Sequence, residues 1–417
     1  MAETDRRTAG FQSRTRLAEA RSRLLEAVSP HDRVESLPIG RADGRVVATT
    51  VTARDPVPGY DRAAMDGFAV RAEDTFGASD RSPSVLRTTE ERVGPGEAAR
   101  VHTGSELPSG ADAVVMIEHV ETVGEEIEVF DGVASGENVG PVGEDVAAGE
   151  PLYEPGDRLR PSDLGLLKST GIDEVTVYDR PTVGVVPTGE ELVQADPEPG
   201  EVIETNGLTV STLVERWGGK GTYRDIVTDD PDALRAAIQR DLSKDLIVTT
   251  GGSSVGERDL IPEVVDDLGE VLVHGVALKP GHPVALGVVE ETPVIMLPGY
   301  PVACIVNAVQ FLKPALKSAG SLPIDPVPTH TGRLIRKIPS EPGVRSFVRV
   351  RVSEPTEDER HPDGTTADEP EIEPTRASGS GILSSVALAD GWVVVPEDRE
   401  GYAAGERVTV ERWEALP

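Results

Sequence analysis

Carboxylates recur along one part of this chain at spacings that alternating strands and helices would impose. Glu190 and Glu191 come first, then Asp229 and Asp230, then Asp259. The run Leu246-Ile247-Val248-Thr249-Thr250 has the length and β-branched content of a buried strand. It ends in Gly251-Gly252-Ser253-Ser254, which can turn tightly and expose backbone N–H groups. A helix expected over residues 260–268, with Pro262 in its first turn, would bring its N-terminus to the same place. Amides at a strand-to-helix turn suit an anion, and an acid at its mouth can serve a metal or a water. The turn is neither a Walker loop nor a GxGxxG fingerprint, because no Gly-Lys-Ser/Thr follows it. Each group also has an ordinary structural role. The glycines suit any tight turn, Asp230 before Pro231 is a good helix N-cap, and Glu190 and Glu191 can solvate a loop. Asp229 is not needed for the cap and is the more informative acid.

The elements that must position these groups follow in chain order. Residues 15–28 read as an amphipathic helix, and residues 34–52 as short alternating segments before the proline-rich break Asp-Pro-Val-Pro-Gly at 55–59. Asp66-Gly67 reads as a sharp turn. Residues 70–143 read as an all-β insertion, with Thr103-Gly104 at a turn and a strand over 113–117. Asp145 follows Gly143, and a helix beginning at Pro161-Ser162-Asp163 ends at Gly171. That return to helical periodicity pairs this stretch with the first helix in one discontinuous domain. From residue 181 strands and helices alternate, which predicts a parallel sheet covered on both faces, with ligands at the carboxyl ends of its strands. That edge collects the acids above and the turn at 297–301, including Pro298 and Pro301. After a linker at 320–328 comes a β-rich module. Its strand carrying Arg345, Arg349 and Arg351 is either an edge guard or faces an anion. Residues 354–375, acidic and proline-rich, read as a disordered insertion.

Composition narrows the function classes. The 417 residues suggest two to four domains, and 43 glycines with 34 prolines and only 4% aromatics favour a loop-rich protein with small aliphatic cores. No apolar run approaches a membrane span and the first residues hold no apolar signal region, so a cytoplasmic location is expected. The formal net charge of −32 disfavours nucleic acid as a partner. Seven of the 41 bases are lysines, and such an acidic, lysine-poor surface fits a halophilic source. Cys304 stands alone and the seven histidines form no metal-ligand pair, so any metal should be a hard cation held by oxygen, such as Mg²⁺.

Taken together the motifs resemble one family, the molybdopterin molybdenumtransferases of the MoeA and gephyrin E-domain type. They are AAMDGFAV, HTGSELPSGADAVVMIE, GEDVAAG, PTGEEL, ETNG, VTDDPDALR, VTTGGSSVGERD, LKPGHP, LPGYPV, RSFVRV and GSGILSSVALADG, in order and across nearly the whole chain. The resemblance implies a multidomain α/β plus β fold. A discontinuous helical and β domain would cover 12–54 and 144–180, a β-rich insertion 55–143, a central α/β molybdopterin-binding (MogA-like) domain 181–321, and a C-terminal β barrel 328–417. It implies a homodimer in which Asp66 and Thr103 reach Asp259 only across the dimer. The implied reaction takes adenylylated molybdopterin and molybdate or tungstate, cleaves the phosphoanhydride, and releases AMP. Asp229 and Asp259 would hold Mg²⁺, with Glu191 in support and Asp66 also catalytic. Gly251, Gly252, Ser253 and Ser254 would cradle the pterin phosphate, and Thr188 would bind substrate. Lys279, His282, Arg345 and Ser385 would hold molybdate or phosphate, and Thr103, Asp145, Pro298 and Pro301 would complete the substrate contacts. Transient contacts with an adenylyltransferase and with acceptor apoenzymes would follow.

Four positions depart from the family's pattern. His282 stands for lysine, Tyr300 for asparagine, Ala303 for serine and Gly275 for a base. Protonated His282 could replace the missing lysine charge. Two other functions compete with the transferase: adenylylation of molybdopterin by the shared α/β domain, and a non-catalytic gephyrin-like scaffold. The flanking domains argue against the first, and the retained carboxylates against the second.

Overall fold

A computed structural model describes residues 14–251, 260–353, 369–375 and 379–414, which group into two units, 34–177 and the remainder. The larger unit is built on a six-stranded sheet. Its strands are β1 (Thr182–Pro187), β2 (Lys220–Tyr223), β3 (Leu246–Thr250), β4 (Glu270–His274), β5 (Ala285–Val289) and β6 (Thr292–Leu297), in the order β2-β1-β3-β6-β5-β4. β2, β1, β3 and β6 run parallel. The expectation of a wholly parallel sheet is corrected at the far edge, where β5 pairs antiparallel with both β6 and β4. Only Glu290 and Glu291 separate β5 from β6, too few residues for a crossover helix, so the pair closes as a hairpin. Every residue of β3 and β6 is buried, as expected of continuous apolar strands with both faces covered.

Helices α1 (Leu17–Glu26), α2 (Asn206–Arg216), α3 (Pro231–Arg240), α4 (Leu260–Leu268) and α5 (Pro301–Asn307) clothe this sheet. Asp230 caps α3 as its position before Pro231 predicted, its carboxylate accepting from the backbone N–H of Asp232 (3.1 Å) and Ala233 (2.9 Å). The first helix packs differently from expectation. Leu17, Ala20 and Leu24 of α1 are buried in the same core as Val183, Val248 and Phe311, so α1 belongs to the α/β body and not with the helix Pro161–Ser169. The chain leaves that body beside the point where it re-enters. The Asp179 N–H donates to the Arg33 carbonyl (2.9 Å), and the Arg33 guanidinium clasps the Asp245 carboxylate at 3.0 and 2.7 Å.

Five strands of the same unit close into a barrel: Arg345–Ser353, Glu371–Pro374, Thr329–Leu334, Arg407–Glu411 and Gly391–Val395, the last pairing back to the first. Leu334, Val350, Ile372, Val393 and Val410 fill it. The arginine-bearing strand is therefore flanked on both sides, which corrects its reading as an edge. Of the expected disordered insertion, residues 354–368 lie outside the described residues, whereas Glu371–Pro374 is a barrel strand.

The unit 34–177 holds a second six-stranded sheet, ordered Ala113–Met116, Gly67–Val70, Glu97–Val101, Ser84–Thr89, Glu126–Val129 and Val120–Val123. Gly67 has no alternative there, because a Cβ would stand 1.9 Å from the Val115 carbonyl oxygen. A smaller core of Val47, Val51, Leu159, Leu167, Val175 and Val177 joins the two stretches that flank this sheet in sequence.

Candidate active site

A cleft of about 350 Å³ opens at the carboxyl ends of β1 and β3. Its floor is Thr188, Thr250 and Gly251; its walls are Glu191, Leu192, Val202, Ile203 and Glu204 on one side and Gly299, Tyr300 and Pro301 on the other. Parallel strands that turn over into helices at this edge create the crevice. Gly251 sits at φ +132°, and a Cβ there would lie 2.0 Å from the Thr188 carbonyl oxygen. Its N–H donates to the Leu297 carbonyl at 3.2 Å, which ties the floor to the end of β6. Thr188 and Thr250 are buried, and their hydroxyls have no partner among the described residues. Buried unpartnered hydroxyls in the floor of a cleft are donors available to a ligand.

Asp229 sits with the glutamates after β1. Burial, then the charge of Glu191, then that of Glu190 push its carboxyl above the usual aspartate range. Like charges held together by the fold are relieved by a bound cation, so the residues fit Mg²⁺. Among the described residues no group of three or more His, Cys, Asp or Glu is arranged to hold a metal alone. Asp259, the second expected ligand, lies outside the described residues, as do Gly252, Ser253 and Ser254.

Glu204 and Asn206, present in the sequence reading only within the ETNG motif, and Tyr300, noted there only as a departure from the family's pattern, also shape the site. The Asn206 side-chain amide, at the start of α2, donates to the Gly299 carbonyl (2.7 Å) and pins the turn before α5. Glu204, buried beside it, accepts from the Gly207 N–H (2.7 Å) and from the Tyr223 hydroxyl. Tyr300 stands in the wall with 55% of its surface exposed.

Three family models match the chain in succession: "MoeA N-terminal region (domain I and II)" over residues 15–171, "Probable molybdopterin binding domain" over 184–318, and "MoeA C-terminal region (domain IV)" over 331–413. A Methanocaldococcus jannaschii protein is 37% identical over 402 residues, covering 93% of this chain and 94% of its own. The molybdopterin molybdenumtransferase of Bacillus subtilis is 32% identical over 389 residues, covering 88% and 86%. The chain belongs to the MoeA family. A solved molybdopterin biosynthesis MoeA protein from Pyrococcus horikoshii matches it at a TM-score of 0.74 and 31% identity, over 95% of this chain and 99% of that one.

The remaining residues expected from the MoeA family fall into separate groups. Lys279 and Arg345 lie on paired parallel strands, and each has a carboxylate partner. Lys279 Nζ donates to Glu341 (3.0 Å), and Arg345 reaches Glu397 through Nε at 3.1 Å. An oxyanion at either cation therefore competes with an acid already in place. Burial, then the charges of Arg14 and Lys279, hold the His282 imidazole below its usual range. That direction works against a protonated His282 in place of the lysine. Ser385 is buried with an unpartnered hydroxyl. Pro298 is buried behind the Gly299 turn, and Pro301 opens α5.

Asp66 and Thr103 meet within the unit 34–177. Asp66 Oδ1 accepts from the Thr103 N–H (2.7 Å) and hydroxyl (2.8 Å), bonds that hold this exposed carboxylate below its usual range. Asp145 is exposed, and its N–H donates to the Val57 carbonyl (3.0 Å).

Proposed function

We propose that this chain is a molybdopterin molybdenumtransferase, which joins molybdate or tungstate to the dithiolene of adenylylated molybdopterin and releases AMP. The observation that carries it is the acid-lined cleft at the strand ends, set in a chain that matches molybdopterin molybdenumtransferases over most of its length. Water cleaves the phosphoanhydride, leaving one phosphate on the pterin and the other on AMP. Mg²⁺, when bound, supplies positive charge to the phosphate oxygens on which negative charge grows. Asp229 holds that cation, together with Asp259. Glu191 lines the cleft and accepts the proton of the attacking water. The unpartnered hydroxyls of Thr188 and Thr250 donate to phosphate oxygen. Lys279, His282, Arg345 and Ser385 receive the oxyanion, and Asp66 with Thr103 and Asp145 contributes to substrate binding and turnover.

The protein works as a cytoplasmic homodimer that meets an adenylyltransferase and acceptor apoenzymes transiently. Among the described residues no helix is long and apolar enough to cross a membrane. The test is AMP release from adenylylated molybdopterin with Mg²⁺ in concentrated KCl, with and without molybdate. Molybdate-dependent AMP supports the transferase. Consumption of ATP with free molybdopterin would instead indicate an adenylyltransferase, and binding without turnover a scaffold.

A further inference from the structure

The lining of the cleft combines polar and acidic groups, Thr188, Thr250, Glu191 and Glu204, with the apolar side chains of Leu192, Val202, Ile203 and Tyr300. Three of these apolar side chains are left open to solvent, Val202 at 55%, Ile203 at 46% and Tyr300 at 55%. Large apolar groups exposed in the wall of a concave site are contact surface for a ligand. Val202 and Ile203 form a two-residue parallel pair with Leu192 and Val193. The turn at 380–381 packs against Tyr300. A Cβ at Gly381 would stand 3.3 and 3.6 Å from two of its ring carbons, and the Val302 N–H donates to the Ser380 carbonyl (3.0 Å). Asn206 fixes the preceding carbonyl, and Pro301 begins α5 directly after the tyrosine. An asparagine at this position offers no aromatic face.

We propose that Tyr300 is a stacking platform for a planar heteroaromatic ring of the substrate, with Val202 and Ile203 as the facing wall. This rests on the transferase reading and deepens it. The substrate carries such a ring on either side of its phosphoanhydride, adenine on one and pterin on the other, and both present a π face to Tyr300. The polar lining suits the phosphates and the exposed apolar side chains suit a ring. Stacking on an aromatic side chain is tolerant of ring identity and is sensitive to loss of the face.

Calorimetric titration of the whole protein with AMP, ribose 5-phosphate and 6-hydroxymethylpterin, in concentrated KCl with Mg²⁺, tests the proposal. Tyr300→Ala should weaken the compound whose ring stacks by about 5- to 100-fold and leave ribose 5-phosphate unchanged. Tyr300→Phe should keep wild-type affinity. Loss confined to AMP assigns adenine, and loss confined to the pterin assigns that ring. Unchanged binding of both ring compounds in Tyr300→Ala overturns the proposal, as does an equal loss for ribose 5-phosphate. So does a wild type that binds neither ring compound, or a Tyr300→Phe defect as large as the alanine one. Molybdate-dependent AMP release by the wild type is measured separately. Its absence removes the transferase reading, whereas the ring titrations alone decide whether Tyr300 stacks.

Discussion

At the residue scale, Asp229 is the most consequential of the acids gathered after β1. Its folded-state carboxyl titrates above the unfolded one, so it favours the folded state only where it is protonated. That contribution is present below the unfolded pKa and is lost as pH rises through the folded one. Asp229→Asn should therefore raise the melting temperature of metal-free protein at pH 7, by less at pH 4, while lowering turnover by roughly 100-fold or more. Melting curves at the two pH values with and without Mg²⁺ check this; a variant less stable at pH 7 would sink the repulsion argument. Asp66→Asn should leave melting unchanged, because Asp66 is exposed, and should lower turnover by roughly tenfold or more. Asp229 was legible because Asp230 alone accounts for the cap of α3, leaving its neighbour without a structural duty. Asn206 was not, since it acts on a carbonyl 93 positions away and no local pattern records that meeting.

At the scale of elements, strand-ending glycine and the side chain that pins the next turn decide whether the cleft exists. Gly251→Ala places a methyl against the Thr188 carbonyl at a positive φ, so β1 and β3 must part. It should cost about 2 kcal/mol or more and remove AMP release, read by denaturant melts and turnover together. Asn206→Ala should cost about 1 kcal/mol and raise KM several-fold with a smaller change in kcat, because a positioning bond is lost and no reacting group. A kcat effect without a KM effect would argue against that role. The helices over 206–216, 231–240 and 260–268 could be read from caps, prolines and apolar spacing. The antiparallel β5–β6 hairpin could not. Glu290-Glu291 lacks the glycine or asparagine that marks a tight turn, and Glu290 adopts φ +55° despite its Cβ. The burial of α1 against the α/β sheet was equally silent, since an amphipathic helix specifies a face and not its partner.

At the scale of the whole molecule, charge dominates. A net −32 is self-repulsive, and salt shortens the reach of that repulsion to ~3 Å at 1 M. Raising KCl from dilute buffer to molar concentrations should raise the melting temperature, as thermal scans can show; a flat or falling profile would contradict an acidic surface suited to brine. The barrel was legible in outline from its alternating strands, but not its closure, which depends on Glu371–Pro374 inside a stretch whose composition argues for disorder. Arg33 and Asp179 add a different consequence. Because they are hydrogen-bonded neighbours, the chain departs for residues 34–177 and returns at one seam of the α/β body. A short glycine–serine bridge sewn across that seam should yield a trimmed protein that still folds, and such a seam is also where an ancestral gene could have accepted the intervening segment as one graft.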